Sequence, residues 1–169
     1  MSTAKEVITL ENHYIVECIG PDGKLKWTDE FDNLVTNEGL NDNLDKYLKG
    51  STYTAAFYVG LTDGTPTVNA ADTMSSHAGW TEVTDYSEST REALVLGTVA
   101  SQSVDNSASK ASYSINATAT VGGAFITTVN TKGGTTGTLY GVGAFSGGDK
   151  SVDNGDTLNV TVTCTAAAS

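Results

Sequence analysis

Residues 27–64 read WTDEFDNLVTNEGLNDNLDKYLKGSTYTAAFYVGLTDG and hold the strongest helical pattern in the chain. Four apolar residues recur there at i, i+4, i+7 and i+8, which places them on one stripe of a helix: Leu40, Leu44, Tyr47 and Leu48. The spacing predicts an amphipathic helix over Asn37–Lys49 whose stripe packs against the rest of the protein. A buried Leu44 would then contribute about 2–5 kcal/mol to stability.

The ends of this helix carry their own signals. Thr36 or Asn37 can cap its first turn, because a short side chain can accept a hydrogen bond from an unpaired N–H group. Gly50 supplies the left-handed residue that commonly ends a helix. The next apolar run, Phe57–Leu61, predicts a buried strand.

The rest of the chain predicts β-structure. Gly, Ser, Thr, Asn and Asp are abundant, which is typical of short strands joined by turns. The candidate strands are Val7–Leu10, Tyr14–Ile19, Lys24–Thr28, Tyr58–Leu61, Glu92–Thr98, Lys110–Asn116, Ala124–Val129, Thr138–Phe145 and Thr157–Cys164. Trp80–Tyr86 is either a further strand or an extended segment. Such spacing predicts a mainly β fold, a single antiparallel β-sandwich of jelly-roll-like type with one helix. We assign residues 1–169 to one domain, with residues 1–10 a candidate extended N-terminal arm.

The charge balance argues against several partners. Twenty acidic and nine basic side chains give a net charge of −11, so the chain should repel nucleic acids and anionic lipid surfaces. The sequence contains no run of about 18 apolar residues, so it predicts no membrane-spanning helix. The N-terminus lacks the pattern of a secretion signal, so we expect synthesis in a cytoplasm.

Cys18 and Cys164 are the only cysteines, and their spacing matches no zinc or redox motif. Each falls in a predicted strand, which favours small apolar packing roles. A bridge between them would require the two terminal strands to lie side by side, and cytoplasmic disulfides are rare. The sequence leaves the pairing open.

Candidate metal and catalytic residues are few. His13 and His77 are the only histidines, and nothing in the sequence predicts that they converge. Asp149, Asp153 and Asp156 offer oxygens of the kind calcium binds, but Asp-Asn-Gly-Asp is also typical of a tight turn. Nucleophile-elbow, zinc-protease and phosphate-loop motifs do not occur in the sequence. We therefore expect no enzyme activity, no catalytic or metal site and no cofactor.

Aromatic residues could form a carbohydrate platform, but most alternate with small or polar residues in predicted strands, which favours core packing. They are Tyr53, Phe57, Tyr58, Trp80, Tyr86, Tyr113, Phe125, Tyr140 and Phe145.

Several segments together resemble a family of structural proteins of tailed bacteriophages. They are Asn33–Asn41, Tyr58–Gly64, His77–Val83, Gly122–Phe125 and Gly137–Thr161, which span the chain from about Trp27 to about Cys164. The resemblance implies a virion protein on the capsid surface that decorates or cements the head. It also implies the major capsid protein as partner and a homo-oligomer, either dimer or trimer. No functional residue is carried over from it.

Some tail-fibre and tail-tip proteins are similar over Asn33–Leu61, so a tail location stays open. Three classes of function make different predictions. A structural virion protein should self-associate and bind a lattice, with Met1–Leu10 and the loop Asp63–Gly79 as expected contact regions. A carbohydrate-binding module should expose an aromatic platform on a sheet face. An enzyme should bring titratable groups together in a cleft.

Overall fold

The computed structural model describes residues 7–53 and 56–168 of the chain. These residues form twelve strands and one α-helix, α1 (Asn37–Asn43), which continues as a π-helical turn over Leu44–Leu48. The strands are β1 (Ile8–Ile19), β2 (Leu25–Asp32), β3 (Leu34–Val35), β4 (Tyr58–Thr62), β5 (Glu92–Ala93), β6 (Ser103–Asp105), β7 (Ala111–Ser114), β8 (Ala119–Val121), β9 (Gly123–Thr127), β10 (Leu139–Ala144), β11 (Lys150–Val152) and β12 (Thr157–Ala168).

The strands form two main antiparallel sheets. The first sheet has the order β2-β1-β12-β6, with β7 also paired to β12, and the second has the order β3-β10-β9-β4-β5. Strands β8 and β11 make a separate two-stranded sheet. The architecture confirms the predicted mainly β fold, an antiparallel sandwich with a single short helix.

The two ends of the chain pair with each other. β1 and β12 align from Ile8 opposite Ala168 to Ile19 opposite Thr157, which makes them the longest ladder of the first sheet. Side chains alternate along β1, so Tyr14, Val16 and Cys18 point inward and are fully buried. They form one core cluster with buried residues of the second sheet, among them Val59, Leu61 and Ile126.

A second core cluster lies on the outer face of the second sheet. Strand β9 is buried along its whole length, which requires cover on both of its faces. Met74 and Trp80, from the irregular segment before β5, pack against Phe125, Leu139 and Val142 on that outer face. The predicted contact loop Asp63–Gly79 therefore supplies part of the core, since Met74 lies within it and Val68 also packs against this cluster.

Local signals correctly placed both ends of the helix. The Thr36 side chain accepts a hydrogen bond from the Gly39 amide at 3.1 Å. Of the two predicted N-cap candidates, Thr36 is therefore the N-cap of the helix. Gly50 follows the helical region with a φ of +77°, in the left-handed region that favours glycine. Helical structure ends at Leu48, one residue before the predicted boundary.

The predicted packing of the helix is wrong. Leu40, Leu44, Tyr47 and Leu48 are 43%, 56%, 88% and 72% exposed, so the apolar stripe faces away from the sandwich. The helix instead contacts β10 through the neighbouring face, where Gly39 lies against the Tyr140 backbone and the Asn43 amide donates to the Tyr140 hydroxyl at 2.9 Å. The helix face that packs inward is therefore the one with Gly39, which fits against the Tyr140 backbone, and not the one with the leucines.

Gly39→Ala should destabilise the protein by about 1–3 kcal/mol, the range for overpacking a filled site. In an exposed helix the same change would stabilise by up to about 1 kcal/mol. Here an added methyl group would overlap the Tyr140 carbonyl, so the sign reverses. Urea unfolding measures the difference. Gly64→Ala is the control, because its methyl group would meet open space; equal stability of the two variants would contradict the packing described.

Leu44→Ala should cost no more than about 0.5 kcal/mol, as for other exposed positions. The side chain is 56% exposed, so the loss expected for a buried leucine does not apply. Thermal unfolding followed by circular dichroism checks this against Leu61→Ala, which truncates a fully buried leucine and should cost about 2–5 kcal/mol. Similar losses for the two variants would show that Leu44 is buried after all.

One strand prediction also needs correction, since only Glu92–Ala93 of the predicted strand Glu92–Thr98 forms a ladder. Of the two alternatives for Trp80–Tyr86, the structure has the extended segment, with isolated bridges at Glu82 and Tyr86. In the candidate arm, Ile8–Leu10 belongs to β1 and residues 1–6 lie outside the described residues. No helix in the described part of the chain is long and apolar enough to cross a bilayer.

Candidate contact surface

Exposed apolar side chains cluster at one end of the sandwich, which we call the apolar end. It comprises the helical stripe of Leu40, Leu44, Tyr47 and Leu48, together with Tyr53, Val95, Leu96 and Val99. Val99 is 70% exposed and Tyr47 is 88% exposed, so these side chains pack little against the core of their own chain.

Three open grooves connect Tyr47 and Tyr53 with Val95, Leu96 and Val99 into one surface. One, of about 430 Å³, lies between Tyr53, Phe57 and Leu94–Leu96. A second, of about 340 Å³, shares Tyr53 and Phe57 with the first and reaches Tyr47 and Tyr140. A third, of about 260 Å³, also borders Tyr140 and extends to Leu10, Val99 and Cys164. The apolar end is therefore continuous from the helix to the end of the β1–β12 ladder.

The central groove of this surface is free of charge. Residues 93–104 and 50–62 contain no Asp, Glu, Lys, Arg or His, although the whole chain carries twenty acidic side chains. The helical part does carry charges, and Asp42 and Lys46 line the groove beside Tyr47. Lys46 and Lys49 both pair with Asp45, at 3.5 and 2.9 Å. These pairs hold the pKa of Asp45 below its usual value, chiefly through the hydrogen bond from Lys49. Such a surface can bind a partner by burying apolar area.

The opposite end of the sandwich carries the acidic turns. Asp156 is buried, and its carboxylate accepts hydrogen bonds from the Lys26 ammonium at 2.7 Å and from the Asp153 amide at 2.8 Å. Burial works to raise the pKa of Asp156, but these donors outweigh it and hold the pKa below its usual value.

The three calcium candidates do not form one site. Lys26 also contacts Asp153 at 3.1 Å, so an ammonium group occupies the position between the two carboxylates. Asp149 instead accepts from the Thr65 hydroxyl at 2.6 Å. Within residues 7–53 and 56–168, no group of three or more His, Cys, Asp or Glu side chains is arranged to hold a metal ion.

The two histidines lie in different layers. His13 is on β1 of the first sheet, with its Nδ1 atom 2.9 Å from the Asp32 carboxylate. His77 stacks on Trp80 over the outer face of the second sheet, with ring centroids 3.6 Å apart. Burial lowers the pKa of His77, which favours its neutral form. The structure thus does not bring the pair together.

The cysteines lie on adjacent strands but far apart along them. Cys164 is opposite Asn12, whereas Cys18 is opposite Leu158, six positions further along the ladder. At about 3.3 Å per residue the offset is about 20 Å, too far for a disulfide bond. Both thiols are free, and burial raises the pKa of Cys18 to about 12 and that of Cys164 to about 11. Both therefore stay protonated and unreactive at neutral pH.

Most of the aromatic residues pack in the interior, as predicted. Trp80, Tyr86, Tyr113, Phe125 and Phe145 are buried, and Phe57, Tyr58 and Tyr140 are partly covered. Tyr53 is the exception at 56% exposure, and Tyr47 joins it beside the helix. Both exposed rings belong to the apolar end and not to an open sheet face.

A buried ion pair was missed by the sequence reasoning. Arg91, fully buried, donates to Glu82 through Nε at 2.9 Å and Nη2 at 2.7 Å. It also donates to the carbonyls of Val129 and Gly134, and its guanidinium carbon lies 5.2 Å from the centroid of the Phe125 ring. Arg91 is the only arginine in the sequence, which was a usable signal. All these partners are internal, so the pair joins the covering segment to the sandwich.

The arrangement of the described residues offers a binding surface in place of a reactive cleft. Comparison with known proteins finds no family model and no curated protein that this chain matches.

Proposed function

We propose that this chain is a structural protein of a tailed-bacteriophage particle that decorates the assembled head and cements it. The observation that carries the proposal is the way in which the segments resembling phage structural proteins come together. Four of the five build the second sheet, because Asn33–Asn41, Tyr58–Gly64, Gly122–Phe125 and Gly137–Thr161 contribute β3, β4, most of β9 and β10. The fifth, His77–Val83, supplies Trp80 to the layer that covers this sheet.

A resemblance spread along a sequence is more informative when its pieces form one packed unit. Here three of the five segments supply members of the second core cluster, in which Trp80 packs with Phe125, Leu139 and Val142. Gly137–Thr161 also contributes β11 and the first part of β12, so the resemblance extends into the first sheet, whereas β1 lies outside it. Most of the second sheet and part of its cover thus come from the resembling segments.

A cementing role requires binding and no chemistry. A protein that binds the assembled shell but not its separated subunits shifts the equilibrium towards the shell. The partner would be the major capsid protein, and the chain would act as a homo-oligomer because accessory proteins on a symmetric shell are usually symmetric themselves. The net charge of −11 would keep free copies apart until a specific contact outweighs their repulsion.

The alternative is a tail-associated protein. Its support is the similarity over Asn33–Leu61, a range that includes α1, the exposed helical stripe and Tyr53. A carbohydrate-binding role would need exposed rings on a sheet face, whereas Tyr47 and Tyr53 lie beside the helix.

The test is to produce phage particles with and without this chain and to compare their resistance to heat and osmotic shock. We expect particles that lack it to release DNA under milder conditions, and gold-labelled antibody against it to decorate heads. Label found only on tails would favour the alternative. Equal fragility of the two kinds of particle would contradict the cementing role.

A further inference from the structure

We infer that the apolar end is the surface through which copies of this chain bind one another. The inference rests on the proposed function, since it names the contact by which the homo-oligomer forms, but its test uses no phage particles. Single exposed apolar residues are ordinary on a protein surface. Here Tyr47, Tyr53, Leu96 and Val99 border grooves that share lining residues, so they form one patch.

The charge distribution of the chain favours a second copy as the partner that binds the apolar end. Two copies that each carry −11 repel at most orientations, and the repulsion is smallest where the facing surfaces hold no net charge. The two segments that line the central groove, within residues 50–62 and 93–104, contain no ionisable acidic or basic residue. A different partner of opposite charge would be drawn to the acidic faces. The grooves around Leu96 and Val99 have no charged lining residue, so this part of the patch is the surface that two like-charged copies can share.

The position of the patch suits a closed assembly. Val99 and Leu10 line the groove at the end of the ladder where Ile8 lies opposite Ala168. The acidic turns lie at the other end, where Lys26 holds Asp153 and Asp156 near the start of β2. Copies joined by their apolar ends around a two-fold or three-fold axis would direct the acidic ends outward, where they remain accessible.

At the same end, the edge of the β1–β12 ladder also has backbone N–H and C=O groups that another strand could pair with. β2 pairs with β1 only over His13–Ile19, so among the described residues Ile8–Leu10 has a strand partner on one side alone, β12. Ile8 is 76% exposed there. An unpaired strand edge beside exposed apolar side chains is a common site for contact with another chain.

The experiment measures self-association of the full chain by sedimentation velocity over a range of concentrations. Val99→Glu and Tyr47→Glu each place one carboxylate in the patch, at positions exposed enough to leave the fold intact. Thr120→Glu adds the same charge at an exposed position of β8, beside Ser151 at the acidic end, and is the matched control. Circular dichroism melting verifies that all three variants fold.

We expect the parent chain and Thr120→Glu to form the same dimer or trimer. Each patch variant should weaken the association at least about 30-fold, the loss typical of a hot-spot residue. A parent chain that stays monomeric over the whole concentration range would overturn the inference. So would patch variants that associate normally, or a control that dissociates as they do.

These outcomes are separate from those that test the proposed function. A monomeric chain that still binds heads would end the inference and leave the cementing role in place. A patch-dependent oligomer that binds no heads would do the reverse.

Discussion

Arg91→Met should lower the free energy of unfolding by about 3–5 kcal/mol, the cost of leaving one partner of a buried ion pair uncompensated. The Glu82 side chain is 7% exposed and would lose both hydrogen bonds from the guanidinium group. The Val129 and Gly134 carbonyls would lose a donor as well. For a chain of this size the melting temperature should fall by roughly 6–20 °C.

Two further variants test the physical reason. Glu82→Gln combined with Arg91→Met removes both charges and should recover part of the loss, because an unpaired buried charge costs more than an absent pair. Lys110→Ala breaks the more exposed pair with Glu17, at 2.6 Å, and should cost no more than about 1 kcal/mol. If Arg91→Met is as mild as Lys110→Ala, the ion pair does not hold the covering segment in place.

Trp80→Ala should cost about 3–5 kcal/mol, the range for truncating a large buried aromatic side chain. Trp80 is 6% exposed, stacks on His77 and lies 5.0 Å from the Phe125 ring, measured between centroids. Its removal would open the second core cluster, so the backbone amides of the segment between β4 and β5 should lose their protection from hydrogen exchange. Amide hydrogen exchange would show faster exchange there than in the β1–β12 ladder.

Tyr47→Ala is the matched control for this truncation, because it removes an aromatic ring that is 88% exposed. At a chain concentration low enough for the protein to be monomeric, it should change the free energy of unfolding by no more than about 0.5 kcal/mol. An equally small effect of Trp80→Ala would mean that the covering layer contributes little to stability, contrary to the packing described.

Sequence patterns predicted what depends on near neighbours. The cap at Thr36 and the stop at Gly50 are local, since each is set within a few residues. The alternation along β1 and β12 also reports directly on which side chains point inward.

Packing between distant segments was not predictable in the same way. The leucine stripe showed that one face of the helix is apolar, but not whether this chain or another covers it. Gly39 took the inner face because only a residue without a side chain fits against Tyr140. The contact regions were expected in Met1–Leu10 and Asp63–Gly79, whereas the structure also exposes the apolar stripe that was predicted to be buried.

The Arg91–Glu82 pair shows a second limit. The two residues lie on an irregular stretch with no period, so no spacing rule predicts that their side chains meet. Their positions are fixed by a distant segment, since Arg91 donates to the carbonyls of Val129 and Gly134 and Glu82 accepts from the Gly133 amide. A single arginine in an acidic chain was the one available hint, since a bidentate ion pair favours arginine over lysine.

The central claim is that this chain binds an assembled phage head, and co-sedimentation tests it most directly. Purified chain is mixed with empty heads prepared without it, and the heads are pelleted at increasing chain concentration. We predict saturable binding at a fixed ratio to the capsid protein, with a melting temperature of the heads that rises with the bound fraction. Chain that stays in the supernatant at every concentration, or that pellets only with tails, would contradict the claim.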